Sequence, residues 1–96
     1  MGIDEILKSK RDEIFSLASR HGVKNLRVFG SVSRGESGPQ SDVDFLVEVE
    51  PGRTYLDLGG FLMDLQDLLG RRVDLVTEKA LHASIKKRVL QEAVPL

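Results

Sequence analysis

Apolar and polar residues follow two different periods along the first third of the chain. From Ile3 to Ala18 the apolar residues recur at helical spacing, and Gly22 is placed to end the helix. From Leu26 to Gly30 the pattern changes to alternation, which predicts a first strand of about six residues with Gly30 at its carboxyl end. This part of the sequence therefore predicts a helix followed by a strand.

The same two periods continue through the rest of the chain and predict two more strands and two more helices. These elements are a strand from Asp42 to Val49, a helix opened by Arg53 or Thr54 and closed by Gly70, a strand from Arg72 to Thr77, and a helix from Glu78 to Ala93. In the middle helix, Tyr55 and the Leu and Met residues are expected in the core, and Gly59-Gly60 predicts a break or close packing. The predicted class is α/β, with a mixed three- or four-stranded sheet flanked by helices.

Length and composition limit what such a domain can do. The 96 residues predict a single domain over residues 1–96. A net charge of −1 and only five aromatic residues argue against a nucleic-acid surface, which needs a basic stripe and stacking side chains. Cysteine is absent, and neither a membrane span nor a signal peptide is indicated, so the cytoplasm is the expected location.

The segment from Gly30 to Asp44 carries the candidate chemistry. Gly30 lets the backbone approach a polyphosphate closely, Ser31 adds a hydroxyl donor, and Ser31 to Gly35 is expected to form a short helical turn with free N–H groups. After ten intervening residues, Asp42 and Asp44 leave the same face of a strand, where a divalent cation would relieve their repulsion. Taken singly, the Gly-Ser pair also fits an ordinary loop, and the Asp-x-Asp pair also fits a solvated strand face. Together they predict a phosphate and metal site.

Other charged residues leave more than one interpretation open. Arg34 fits either a phosphate contact or an ion pair within the loop from Glu36 to Ser41 that follows it. Asp74 is a lone polar residue in an apolar strand and is expected to be a buried carboxylate, so it should be metal-bound, hydrogen-bonded or paired with Arg71 or Arg72.

The last helix is predicted to have one apolar and one basic face. Ile85 and Val89 are among the residues expected to face inward. Its basic cluster consists of Lys79, Lys86, Lys87 and Arg88. The spacing of these residues is compatible with three interpretations. The cluster is solvated surface, a contact for an acidic partner, or a contact for a nucleotide's phosphates.

The run Gly30-Ser31-Val32-Ser33-Arg34-Gly35, followed by Ser41-Asp42-Val43-Asp44, resembles the signature of the DNA polymerase β nucleotidyltransferase superfamily. That signature is Gly-Ser, about ten residues, then Asp-x-Asp. The chain is most similar to the minimal nucleotidyltransferase (MNT) branch, usually encoded beside a HEPN-domain partner, and the resemblance extends through Val73-Asp74-Leu75-Val76 to the end of the chain. It implies the polymerase-β-type fold, with Asp74 as the third metal-site carboxylate.

The resemblance also implies a reaction. Two Mg²⁺ ions would be held by Asp42, Asp44 and Asp74, while Gly30 and Ser31, with Arg34, would hold the phosphates of ATP. AMP would be transferred to a Tyr hydroxyl of a HEPN ribonuclease toxin, so the chain would be an AMPylating antitoxin in a hetero-oligomeric toxin–antitoxin system. Two alternatives remain open: a non-catalytic antitoxin that masks the toxin by contact, and a nucleotide-binding subunit of another complex.

Overall fold

The computed structural model of the chain describes residues 3–36, 38 and 42–96. The strands in this part of the chain are β1 (Val23–Phe29), β2 (Val43–Val49), β3 (Val73–Thr77) and β4 (Val94–Pro95). They form one sheet in the order β3-β2-β1-β4, in which β1 is antiparallel to β2 and β4, and β2 is parallel to β3. The predicted α/β class and mixed sheet are confirmed.

The helices of the described chain lie between and after these strands. They are α1 (Ile3–Ser9), α2 (Arg11–Arg20), α3 (Tyr55–Leu69) and α4 (Ala83–Glu92), with a short 3₁₀ turn at Glu78–Ala80. Apolar residues of α1, α2 and α3 form the core together with the face of β2 that carries Val43, Phe45 and Val47. Within the described ranges, none of the helices has both the length and the apolar character that spanning a bilayer requires.

The prediction of one N-terminal helix is wrong in one respect, because the helix is interrupted at Lys10. The backbone of Lys10 lies at φ −107° and ψ 10°, outside the helical region, and it separates α1 from α2. The predicted apolar stripe is nevertheless continuous, since Leu7 on α1 and Ile14 on α2 are both buried. The periodicity therefore predicted the buried face but not the interruption.

The ends of α3 agree with the prediction. Thr54 caps the helix through a capping box: its side chain accepts from the N–H of Leu56, and Asp57 accepts from the N–H of Thr54 at 3.0 Å. That backbone hydrogen bond, assisted by Arg53, lowers the pKa of Asp57. At the other end Gly70 takes a left-handed conformation with φ 65°.

The interior of α3 departs from the prediction in one way and agrees in another. Tyr55 is 89% exposed and Met63 is 63% exposed, so neither lies in the core, because Phe61 and Leu65 define the buried face instead. The helix is unbroken at Gly59-Gly60. The predicted close packing occurs at Gly60, where an added Cβ would lie 2.9 Å from Cε1 of His21.

The C-terminal helix is shorter than predicted. Glu78–Ala80 forms the 3₁₀ turn and α4 begins only at Ala83, because Leu81 and His82 adopt extended backbone conformations. On α4, Val89 is buried as predicted, whereas Ile85 is 40% exposed and does not face the core.

Candidate active site

Three neighbouring strands bring the predicted residues to one edge of the sheet. In the strand register Asp44 pairs with Phe29 of β1 on one side and with Asp74 of β3 on the other. Gly30 follows Phe29 directly. Adjacent strands lie about 4.8 Å apart, so this register places Gly30, Asp44 and Asp74 side by side on three strands.

A cleft of about 530 Å³ opens beside these strand ends. Its lining includes the predicted site residues Gly30, Ser31, Arg34, Asp42 and Asp44. The remaining wall comes from Phe29 and from the α4 residues Ile85, Arg88, Val89 and Glu92. Asp74, the sixth predicted site residue, lies outside this lining.

Gly30 lies against the carboxylate of Asp44. Its φ of 74° is in the left-handed region, and a Cβ built on it would overlap Oδ2 of Asp44. Two independent features of the structure therefore favour glycine at this position. The sequence suggested another reason, the close approach of a phosphate to the backbone of Gly30. The contacts within the protein do not test that reason.

The segment after Gly30 is a series of hydrogen-bonded turns that includes a single turn of helical type, as predicted, because the N–H of Arg34 donates to the carbonyl four residues before it. The N–H of Arg34 donates to the carbonyl of Gly30 at 3.2 Å, and the N–H of Glu36 donates to the carbonyl of Ser31 at 2.8 Å. Within the described part of the chain, the N–H groups of Ser31, Val32 and Ser33 have no acceptor. Of these three residues Ser31 lines the cleft, where an unpaired backbone donor is suited to an anion.

The loop predicted from Glu36 to Ser41 is only partly described. Ser37 and residues 39–41 lie outside the described residues. The carbonyl of Gly38 accepts a hydrogen bond from Nη1 of Arg71 at 3.1 Å. Arg71 thus contacts the loop between the two halves of the sequence motif.

Arg34 forms ion pairs, as one of its two interpretations predicts. Its Nε lies 3.0 Å from Oε2 of Glu36, and its Nη1 lies 3.0 Å from Oε2 of Glu92 on α4. The hydrogen bond to Glu36, together with Glu92, raises the pKa of Arg34 above its ordinary value. A phosphate contact by Arg34 stays a prediction, and it would require Arg34 to share or exchange these carboxylates.

The three candidate carboxylates have different environments. Burial raises the pKa of Asp44, and the negative charges of Asp74 and Asp42 raise it further. Asp42 is turned toward Arg72, whose Nε lies 3.3 Å from Oδ1. Asp74 is exposed, so the prediction that it is a buried carboxylate in need of a partner is wrong. The reason is that Asp74 shares with Asp44 the face of the sheet opposite the core, on an edge strand whose single neighbour is β2.

These carboxylates suit a hard divalent cation by chemistry but do not yet enclose one. The negative field that Asp74 and Asp42 create at Asp44 is the kind a divalent cation relieves, and carboxylate oxygens are the ligands Mg²⁺ prefers. However, no three His, Cys, Asp or Glu side chains in the described ranges are grouped so that they could hold a metal ion. The Arg72–Asp42 pair is one contact that would have to rearrange.

The wall formed by α4 was missed by sequence reasoning. One feature of the sequence pointed to this wall: the basic cluster of the last helix, of which Arg88 lines the cleft. Nothing in the sequence marks Glu92 as a residue of the site, because its partner Arg34 is distant in sequence. Only the packing of α4 beside the Gly30 turn reveals either residue as part of the site.

The fold and the residues of this cleft define a nucleotidyltransferase. Residues 7–96 match the nucleotidyltransferase domain family, and the chain belongs to that family. One relative is the protein adenylyltransferase MntA of Thermococcus cleftensis, which is 42% identical over 92 residues covering 96% of this chain and 90% of the relative. The predicted membership of the nucleotidyltransferases, and with it the prediction of an enzyme, is confirmed.

Solved structures agree with this assignment. A candidate minimal nucleotidyltransferase superposes with a TM-score of 0.87 at 46% identity, covering all of this chain and 97% of that chain. A crystal structure of a toxin–antitoxin with AMP-PNP superposes with a TM-score of 0.72 over 88% of this chain and 69% of that chain. At 21% identity, the second similarity shows the common fold alone.

Proposed function

We propose that the chain is a Mg²⁺-dependent protein adenylyltransferase that transfers AMP from ATP to a Tyr hydroxyl of a HEPN-domain toxin and so acts as its antitoxin. The observation that carries this proposal is the cleft in which the Gly30-Ser31 turn, with unpaired N–H groups, lies beside Asp42 and Asp44. The relative named protein adenylyltransferase MntA supports the choice of AMP and of a protein acceptor.

The residues of the cleft divide the work of binding between them. Gly30 and Ser31 hold the β- and γ-phosphates of ATP, with the unpaired N–H of Ser31 as a donor, and the absence of a side chain at Gly30 leaves the Asp44 carboxylate in its place. Asp42, Asp44 and Asp74 would hold Mg²⁺ once Asp42 leaves Arg72, and the bound ion would supply charge neutralisation for the triphosphate. Positioning and charge neutralisation supply most of the catalysis in phosphoryl transfer.

In this proposal the acceptor hydroxyl approaches from the side of the cleft nearest β3. Asp74 is exposed on this edge strand beside Asp44, so it can orient an incoming Tyr hydroxyl and accept its proton. The Tyr oxygen attacks the α-phosphorus, a phosphorus–oxygen bond to Tyr forms, and the bond to the β-phosphate breaks. Pyrophosphate leaves and the toxin carries AMP.

The decisive experiment compares wild type with Asp44→Asn, each co-expressed with its toxin partner. The substitution removes a charge with little change of shape, so we expect complex formation to survive while modification of the toxin and protection of the cells are lost. The measurements are cell growth, co-purification and the mass of the toxin, which should increase by about 329 Da per AMP only with the active enzyme.

The control for this experiment is Asp67→Asn, the same chemical change at an exposed position of α3 outside the cleft. It should modify and protect like wild type. If Asp44→Asn protects cells without adding mass, inhibition works by masking and the proposed reaction is wrong as the antitoxin mechanism. If the wild type adds no mass to its partner in the presence of ATP and Mg²⁺, adenylylation itself is wrong.

A further inference from the structure

Among the residues that the structure describes, two guanidinium groups line the cleft, and one of the two is held in ion pairs. Arg34 is paired with Glu36 and Glu92. Arg88 is exposed and has no ion pair within the part of the chain that the structure describes. An anion that enters the cleft would therefore meet an uncompensated positive charge at Arg88.

Arg88 belongs to a face of α4 that is turned to the cleft. Four residues of α4 line the cleft: Ile85, Arg88, Val89 and Glu92. Their positions, i, i+3, i+4 and i+7, put them on one side of the helix. Glu92 on this face holds Arg34, whereas the charge of Arg88 stays available. The wall that α4 forms therefore presents the guanidinium of Arg88 beside the apolar side chains of Ile85 and Val89.

The other basic residues of the last segment do not share this position. Lys79 and Lys87 are exposed and do not line the cleft, and Nζ of Lys86 lies 3.9 Å from Oε1 of Glu78. Among these four, Arg88 is the one that contributes to the cleft. The basic cluster is therefore functionally divided, although its sequence looks uniform.

We propose that Arg88 binds the triphosphate of the nucleotide, so that α4 closes the side of the cleft that the Gly30 turn leaves open. This inference rests on the proposed function, which places a nucleoside triphosphate in the cleft. A guanidinium suits the task because its planar donors can bind two phosphate oxygens at once. Arg88 acts on binding, whereas the carboxylates of β2 and β3 act on the reacting groups.

The test measures the affinity of the chain for AMP-PNP and for AMP by calorimetry in the presence of Mg²⁺. Arg88→Gln should weaken AMP-PNP binding about 10- to 100-fold, the effect expected for loss of a charge-assisted hydrogen bond. The matched control is Lys87→Gln, which removes one positive charge from the adjacent exposed position and should change affinity less than about twofold. Arg88→Lys, which keeps the charge but not the planar donors, should fall between wild type and Arg88→Gln.

The comparison with AMP separates phosphate binding from a structural effect. If Arg88 contacts the outer phosphates, AMP affinity should change far less than AMP-PNP affinity. Equal losses for both ligands, equal losses for Arg88→Gln and Lys87→Gln, or unchanged AMP-PNP binding in Arg88→Gln would each overturn the assignment while leaving the proposed function in place. A wild type that binds no AMP-PNP would instead overturn the proposed function, and this inference with it.

Discussion

A side chain at Gly30 would occupy the space of the Asp44 carboxylate, and the left-handed backbone at Gly30 adds a conformational cost of its own. Gly35 offers a direct comparison, since its φ of 69° is similar but an added Cβ would meet nothing within 4 Å. The two glycines therefore separate backbone strain from obstruction of the site. Both effects act on the same residue at position 30, and only the first acts at position 35.

We predict that Gly30→Ala lowers adenylylation by at least about 100-fold, because the methyl group displaces a carboxylate that must be held in place. Gly35→Ala should retain most of the activity and lose only about 1 kcal/mol of unfolding free energy. Activity is measured by transfer of labelled AMP to the partner, and stability by urea unfolding of both variants. Equal activity in the two variants would show that Asp44 has room to move.

The grouping of single residues in the cleft was predictable where it depends on local sequence. Gly30 and Ser31 carry their signal in the sequence itself, as do Asp42 and Asp44. The contact between Gly30 and Asp44 could not be predicted, because it depends on the pairing of Phe29 with Asp44 across two strands. The exposure of Asp74 was mispredicted because an apolar strand pattern does not reveal that the strand lies at the edge of the sheet.

At the scale of elements, α3 contains two adjacent glycines with different surroundings. Gly59 faces open space, whereas a Cβ at Gly60 would press on the ring of His21, whose Nε2 lies 2.8 Å from Oδ2 of Asp64. Gly60 thus allows α2 and α3 to pack closely around His21. Gly59 has no comparable constraint.

We predict opposite outcomes for alanine at these two positions. Gly59→Ala should stabilise the protein by about 0.5–1 kcal/mol, because alanine favours the helix and the site is open. Gly60→Ala should gain nothing or lose stability, because the 2.9 Å approach forces the His21 ring to shift. Urea unfolding of the two variants checks this, and stabilisation by both would mean that the ring moves without cost.

The helix ends of α3 were predictable since capping is local: Thr54, Asp57 and Gly70 carry the signal within a few residues. Other boundaries depend on contacts distant in sequence. β4 has only two residues and exists through its pairing with β1, so no pattern of its own could predict it. The start of α4 was missed because Leu81 stands at helical spacing from Ile85 and Val89, although its backbone is extended.

At the scale of the whole molecule, the active site is a source of instability. Burial and the charges of Asp74 and Asp42 raise the pKa of Asp44, so ionising this carboxyl costs more free energy in the folded chain than in the unfolded chain. The unfolded chain does not have this cost. Ligand binding is expected to offset it in the working enzyme.

We predict that Asp44→Asn raises the melting temperature at pH 7 in the presence of a chelator. The corresponding increase in the free energy of unfolding is up to about 1 kcal/mol. Mg²⁺ should stabilise the wild type and have less effect on Asp44→Asn, because the variant has lost a carboxylate ligand. Thermal unfolding with and without Mg²⁺ measures both effects. A variant less stable than wild type in chelator would mean that Asp44 makes favourable contacts that outweigh its burial.

The class of fold was predictable because helical and strand periods alternate clearly along the chain. The sheet order and the wall formed by α4 were not, since they result from packing between segments far apart in sequence. For the same reason, the partner of Arg34 on α4 came only from the structure.

The pairing of Asp44 with Asp74 limits how the length of this chain can vary during evolution. Side chains alternate between the two faces of a strand, so one residue inserted within β2 or β3 would turn either the carboxylate or the apolar residues after it to the opposite face. An insertion in the turn at residues 50–54 would leave the pairing intact. We therefore expect insertions and deletions in active descendants of this sequence to accumulate in its turns, while the spacing inside the two strands stays constant.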